Sequence, residues 1–165
     1  MAEPILDFKV LGQPAPQGSK RGYVVNGRAV LVESSKRVKP WREAVKHAAL
    51  DAMTSQAFTA ATPVAGPLYV SVVYTLPRPK SHYRTGRNAH LLRDNAPRWP
   101  ASKPDVEKLD RASYDACTDA GVWGDDAQIV TSVSVKTYPG VHPRAMTTPG
   151  AHVRITRMTD STGAR

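Results

Sequence analysis

Five prolines fall between positions 77 and 104, both ends included. Each removes a backbone N–H and fixes φ, so neither a helix nor an inner strand can run through this stretch. The chain must build its regular elements on either side and leave roughly 77–103 as one long connection. Connections of that length in a compact domain are usually functional or disordered. This one is also basic: from Arg78 to Lys103, five Arg and two Lys oppose one Asp, a net of +6 out of +9 for the whole chain.

On the N-terminal side, Ile5 to Gly12 alternates loosely and reads as a strand. A Pro/Gly-punctuated loop carrying Lys20 and Arg21 follows. Tyr23 to Val25 and Ala29 to Val32 predict a hairpin turning at Asn26-Gly27, the pair favoured where both turn residues need positive φ. Ser34 or Ser35 is placed to cap a helix running to about Phe58, with Pro40 in its first turn. Trp41, Val45, Ala48 and Ala52 mark its apolar face. Leu68 to Leu76 is β-branched and aromatic, as a strand should be. Past the basic stretch come a helix over about Val106 to Ala120, ended by Gly121, and a strand from Ile129 to Thr137. A last strand lies near His152 to Met158, with a frayed tail over 159–165. This order predicts an α+β fold: one domain, 1–165, with two helices packed on a small mixed sheet.

A chain of 165 residues can bury a core without a disulfide or structural metal. A single cysteine, Cys117, excludes an internal disulfide and any multi-cysteine zinc site. The five histidines show no ligand spacing. No signal peptide is visible in the first residues, and no run approaches the ~20 apolar residues of a membrane span. A soluble, cytoplasmic protein, complete from Met1, is expected. Its positive charge suits a polyanion, because each neutralised phosphate releases condensed counterions; ordinary surface charge would give the same total.

The acidic residues are distributed quite differently. Seven of fourteen lie between Lys103 and Gln128: Asp105, Glu107, Asp110, Asp115, Asp119, Asp125 and Asp126. Val106, Leu109, Ser113, Ala116 and Ala120 form the apolar stripe of the predicted helix, and Glu107, Arg111 and Asp115 share an adjoining face at intervals of four. Pro104 biases Lys103 toward extended backbone, and in extended chain Asp105 and Glu107 would point to one side. Two such carboxylates, joined by a third from Asp125-Asp126, would suit Mg²⁺, which binds a few carboxylates plus water and phosphate. The structural reading is equally open on spacing alone. There, Asp105 caps the helix while Glu107 and Asp115 pair with Arg111.

The residues Asp105-Val-Glu107-Lys-Leu109, Arg111, Asp115-Ala116-Cys117, Gly121-Val-Trp123-Gly and Asp125-Asp126-Ala-Gln128-Ile129 resemble the core pattern of the RusA-type Holliday junction resolvases. That family occurs in bacteria and commonly in phages and prophages, and a phage or prophage origin is expected here. Its pattern is Asp-x-Asp-Asn-Leu opening a helix, a Lys four residues after the second Asp, Asp-Ala-Leu, a Gly with a Trp-like residue, then Asp-Asp-x-Gln. The resemblance implies a Mg²⁺-dependent endodeoxyribonuclease (Mn²⁺ as substitute) that resolves four-way junctions by paired symmetric nicks. It also implies a homodimer, with no membrane or small-molecule cofactor involved. Asp105, Glu107 and Asp126 would hold the metal, Asp125 and Asp115 would support them, and Arg111 would stabilise charge on the phosphate. Three residues depart from the pattern: Glu107 for Asp, Lys108 for Asn and Arg111 for Lys. The extra methylene of Glu107 matters because a ~1 Å misplacement can cost ~10²-fold in rate. Arg cannot act as a general base, so position 111 keeps an electrostatic role only.

Lys20, Arg21 and Arg28 are expected phosphate contacts from the N-terminal region. Arg78, Lys80, Arg84, Arg87, Arg93, Arg98 and Lys103 are the corresponding residues of the basic stretch. Tyr83 or Trp99 could stack on an unpaired base, or simply pack. Three other functions compete: a junction-binding protein of the same fold that no longer cuts, a metal nuclease of another family, and a basic structural protein. For the second, Pro104-Asp105 is similar to the start of the restriction-enzyme-like motif, but the acid-x-Lys triplet which that motif also needs is missing, since Leu109 stands two residues after Glu107. The third leaves the acidic cluster without a role.

Overall fold

The computed structural model describes residues 3–18, 20–33, 36–56 and 63–159, with 20–23, 25 and 29–33 described by backbone alone. In chain order the elements are β1 (Leu6–Leu11), β2 (Lys20–Val25), β3 (Arg28–Glu33), α1 (Val38–Ser55), β4 (Leu68–Thr75), α2 (Val106–Asp119), β5 (Ile129–Thr137) and β6 (Gly150–Arg157). The predicted order is the observed one. Asn26 and Gly27 both have positive φ, 50° and 73°, as a two-residue hairpin turn requires.

Four strands form one sheet in the order β1-β6-β4-β5. β6 lies antiparallel to both β1 and β4, whereas β4 and β5 are parallel. Parallel neighbours need a crossover, which the 77–104 segment and α2 together supply. The hairpin β2–β3 stands as a separate two-stranded ribbon.

One face of the sheet carries both helices. Leu6, Phe8, Val10, Leu68, Val70, Val72, Val153 and Ile155 meet Val38, Trp41, Val45 and Ala49 of α1 and Leu109, Ala112, Ala116 and Cys117 of α2. Alternation along the strands and the three- and four-residue spacing along the helices produce these faces. Cys117 is buried, and desolvation pushes its thiol up to about 12. On the opposite face Arg144 donates to Ser71 Oγ at 2.8 Å and to the His152 carbonyl at 2.9 Å.

Several boundaries differ from expectation. Helix α1 starts at Val38 behind Arg37, with no side-chain cap, and ends at Ser55. Ser34, Ser35 and Phe58 lie outside the described residues, as does the tail from 160 onward. The stripe of α2 includes Ala112 and Cys117, while Val106 and Ala120 pack at its margins. His152, one of the histidines without ligand spacing, has a structural partner. It is buried, its Nε2 lies 2.6 Å from Asp7 Oδ1, and burial lowers its pKa against the opposing pull of Asp7.

The basic segment is folded through its own arginines. Tyr83 and Leu92 form an antiparallel bridge. Arg84 donates to the Leu92 carbonyl at 3.2 Å and to Asp94 at 2.7 Å, and Arg93 donates to the Tyr83 carbonyl at 2.8 Å. Arg78 donates to the Pro97 carbonyl at 2.7 Å and stacks 4.2 Å above the Tyr138 ring. Lys136 of β5 ties down the far end, donating to the Ser102 and Pro104 carbonyls at 2.8 Å each.

Candidate active site at the two ends of helix α2

At the start of α2, Asp105 occupies the N-cap position with extended backbone, φ −68° and ψ 136°. Its carboxylate makes no capping bond. It pairs instead with Lys108 at 3.1 Å, one helical turn on. Glu107 already lies within the helix and pairs with Arg111 at 3.3 Å. Extended chain therefore does not carry both carboxylates to one side, because the helix begins between them, at Val106. A cleft of about 380 Å³ opens beside Asp105, lined by Arg37, Lys103, Pro104 and Lys108 and by the Gln13–Pro16 loop. The segment before it is seated by the Lys136 bonds and by the Gln17 amide, which donates to the Lys108 carbonyl at 2.9 Å.

At the other end, Gly121 takes φ 76° and the chain turns through Trp123, whose Nε1 donates to Thr118 at 2.8 Å. A single 3₁₀ turn, Asp126–Gln128, then leads into β5. Asp125 and Gln128 lock this turn as a capping box. Asp125 Oδ1 accepts from the Ala127 amide at 2.7 Å, and Gln128 Oε1 accepts from Gly124 and Asp125 at 2.9 and 3.2 Å. Gln128 Nε2 reaches across to the Val64 and Gly66 carbonyls at 2.7 and 3.1 Å. Asp125 thus orients Asp126 through the backbone. Asp126 itself is exposed and lines a shallow recess with Asp115, Thr118, Asp119, Asp125 and Arg42. Arg42 of α1 holds Asp119 at 2.8 Å and Asp115 at 3.5 Å, taking the place expected of Arg111.

Asp105 and Glu107 therefore lie at one end of α2, and Asp126 and its neighbours at the other. Asp115, ten residues beyond Asp105, is about 15 Å away along the axis, and Asp119 about 21 Å. Among the described residues no three His, Cys, Asp or Glu side chains converge as a metal-holding group. The set Asp105, Glu107 and Asp126 does not fit one divalent ion within one chain.

Midway along the helix lies a carboxylate that spacing did not single out. Asp110 accepts from Tyr74 at 3.0 Å and from Ser134 at 2.7 Å, and Tyr74 also bonds Ser113 at 3.1 Å. Burial raises the Asp110 pKa, against the lowering effect of those two hydrogen bonds. Its partners sit on β4 and β5, more than twenty residues away in each direction, so no local pattern announces it.

The expected DNA contacts divide into two groups. Arg78, Arg84 and Arg93 are spent on the loop. Lys80, Arg87, Arg98 and Lys103 are exposed and make no ion pair or side-chain hydrogen bond with the described residues. Arg28 is exposed at the start of β3; the side chains of Lys20 and Arg21 lie outside what is described. Trp99 is 45% exposed with Arg98 5.8 Å from its ring, whereas Tyr83 is partly buried. No helix is long and apolar enough to cross a membrane, among the described residues.

Residues 12–156 match the family described as Endodeoxyribonuclease RusA. The chain is also similar to an uncharacterized protein, YqaN, of Bacillus subtilis (strain 168). The two are 27% identical over 139 residues, which is 84% of this chain and 91% of that protein.

Proposed function

Because this chain belongs to the Endodeoxyribonuclease RusA family, we propose that it is a divalent-metal-dependent endonuclease, Mg²⁺ by preference, that resolves Holliday junctions and related branched DNA by paired symmetric nicks. The observation that carries this reading is the cleft at the start of α2. There an exposed carboxylate, Asp105, shares one wall with three cations, Arg37, Lys103 and Lys108. A backbone phosphate entering the cleft would meet donors and positive charge beside an acidic oxygen, the pairing that phosphodiester hydrolysis needs.

Asp105, Glu107 and Asp126 are the carboxylates proposed to hold the metal, a set that one chain alone does not bring together. Arg111, one turn from Glu107, is the proposed stabiliser of charge on the phosphate. Arg28, Lys80, Arg87, Arg98 and Lys103 supply sequence-independent phosphate contacts. Paired nicks in opposing strands call for two sites related by two-fold symmetry, hence a homodimer. The Asp105–Lys108 pair favours one competing reading. With Lys108 where the family pattern has Asn, Asp105 is partly neutralised, as a junction-binding protein that no longer cuts would tolerate.

The test is incubation with a synthetic four-way junction and a matched linear duplex, in Mg²⁺ and in EDTA, for wild type and Asp126→Asn. Paired nicks on the junction alone, requiring Mg²⁺ and lost in the variant, are expected. Tight junction binding without nicks in Mg²⁺ and Mn²⁺ alike would move the assignment to the non-cutting protein. Equal indifference to junction and duplex would overturn both.

A further inference from the structure

Resting on the nuclease reading above, we infer that the segment from His82 to Arg93 is a preformed finger whose apolar pair, Leu91-Leu92, inserts between base pairs at the branch point of DNA. Every residue from Arg84 to Asn95 is exposed, so the finger stands clear of the rest of the chain. Leu91 and Leu92 are 43% and 42% exposed. They belong neither to the buried core nor to the hydrophobic residues packed against it. Single exposed leucines are common on protein surfaces and need no explanation. An adjacent pair on a protrusion, in an otherwise polar stretch, has no packing role to account for it.

The finger holds its shape through its own bonds. The Arg84 amide donates to the Leu91 carbonyl and the Arg93 amide to the His82 carbonyl, each at 2.9 Å. The guanidinium groups of Arg84 and Arg93 tie the same two arms together from outside. Gly86, at φ 64°, opens a 3₁₀ turn over Gly86–Asn88 that reverses the chain. The Leu91 amide closes that turn on the Asn88 carbonyl at 2.9 Å, which sets the leucines beside the tip. Ordering is complete before DNA arrives, so binding does not bear its entropy cost.

Its root fixes where it works. Arg78 stacks on the Tyr138 ring, and His82 meets the same ring edge-on at 5.6 Å. Lys136, two residues earlier, holds the Pro104 carbonyl next to Asp105. The finger and the Asp105 cleft therefore share one end of β5. The surroundings suit a polyanion: Pro77 to Arg93 contains no Asp or Glu, and Asp94 is paired with Arg84. Arg87 and Arg98, one on each side of the leucines in sequence, are exposed for phosphate contacts. Apolar side chains such as Leu enter a base step and part it. In a continuous duplex that insertion breaks a stack. At a branch point stacking is already interrupted, so insertion costs least there. The finger in this way selects branched DNA over duplex, a choice that phosphate contacts alone do not make.

The decisive experiment places the fluorescent base 2-aminopurine at the branch point of a synthetic four-way junction, where its signal rises on unstacking. Wild type, Leu91→Ser/Leu92→Ser and the conservative Leu91→Met/Leu92→Met are compared in EDTA, which reads insertion without cutting. Wild type and the Met variant should raise the signal. The Ser variant should bind the junction without a rise, keep its melting temperature and lose about tenfold of its preference for junction over duplex. In Mg²⁺ its nicking of the junction should fall with that preference. An unchanged signal in the Ser variant, beside a wild type that cuts, would overturn the finger and leave the nuclease reading intact. A Ser variant that melts lower would give the leucines a packing role and overturn the finger too. So would one that changes oligomeric state in light scattering, or one that loses only its binding to phosphatidylserine vesicles. A wild type that unstacks the branch point but never cuts in Mg²⁺ would uphold the finger and overturn the nuclease reading alone. A wild type without signal, indifferent to junction and duplex, would overturn both.

Discussion

The two ends of helix α2 carry similar side chains and are built in opposite ways. At the start, among the described residues, Asp105 and Glu107 are held only by cations on their own helix, Lys108 and Arg111, through contacts one turn long. Such exposed pairs contribute only a few tenths of a kcal/mol each. At the far end, Asp126 rides on a turn locked by Asp125 and Gln128, and Gln128 anchors that turn to the segment before β4. One end is held loosely beside an open basic cleft; the other is fixed to the sheet. A site drawing on both combines an adjustable pair of carboxylates with a rigid one.

The largest expected effect tests function at both ends at once. Asp105→Asn and Asp126→Asn should each lower junction nicking by about 10³-fold or more. Their melting temperatures should stay near wild type, because both side chains are exposed and neither bonds the core. A large loss of stability in either would mean that its role is structural.

The next separates loose from fixed. Gln128→Ala removes two donors and an acceptor from the turn, leaving the Val64 and Gly66 carbonyls unpaired. It should cost about 1–3 kcal/mol in denaturant unfolding and lower nicking through Asp126. Lys108→Ala, at the other end, should leave stability within ~0.5 kcal/mol. Equal destabilisation would erase the distinction.

A smaller effect separates arginines that build the basic loop from those that face DNA. Arg87→Ala should reduce the salt slope of junction binding by about 1 with little change in melting temperature. Arg84→Ala should lower the melting temperature, since it loses Asp94 and the Leu92 carbonyl.

The smallest lies between the two ends. Burial raises the Asp110 pKa above its unfolded value, so the stability tied to this group is full in acid and falls as pH rises through the folded value. Asp110→Asn, keeping an oxygen for Tyr74 and Ser134, should raise the melting temperature at pH 7. The gain should vanish below the ordinary carboxylate value of 3.8. A variant less stable at pH 7 than wild type would mean the charge itself is needed there.

Much of this was legible in the chain. Asn26-Gly27 announced its hairpin, the run from Leu68 announced β4, and Ile129 to Thr137 matches β5 residue for residue. Those features are local, decided by turn chemistry and side-chain shape. The α+β class followed from their order. What spacing could not supply was anything depending on a distant partner. Arg42 takes Asp115 from Arg111 because α1 crosses α2 there; Asp110 is half-buried against strands on either side of it in sequence; and Arg78, Arg84 and Arg93 turn inward to carbonyls of their own loop. The motif places Asp105, Glu107 and Asp126 within about two dozen residues, yet the helix between them sets them apart.

The position of β6 has a consequence for how the molecule is made. It comes last among the described elements and yet occupies the middle of the sheet, paired with β1 on one side and β4 on the other. During synthesis the edges of β1 and β4 that pair with β6 stay open until β6 leaves the ribosome, so the sheet cannot close before then. Open strand edges are templates for misassociation, and pairings this distant in sequence form slowly. A nascent chain stalled before Gly150 should therefore need a chaperone to stay in solution, and it should fold promptly once β6 is released.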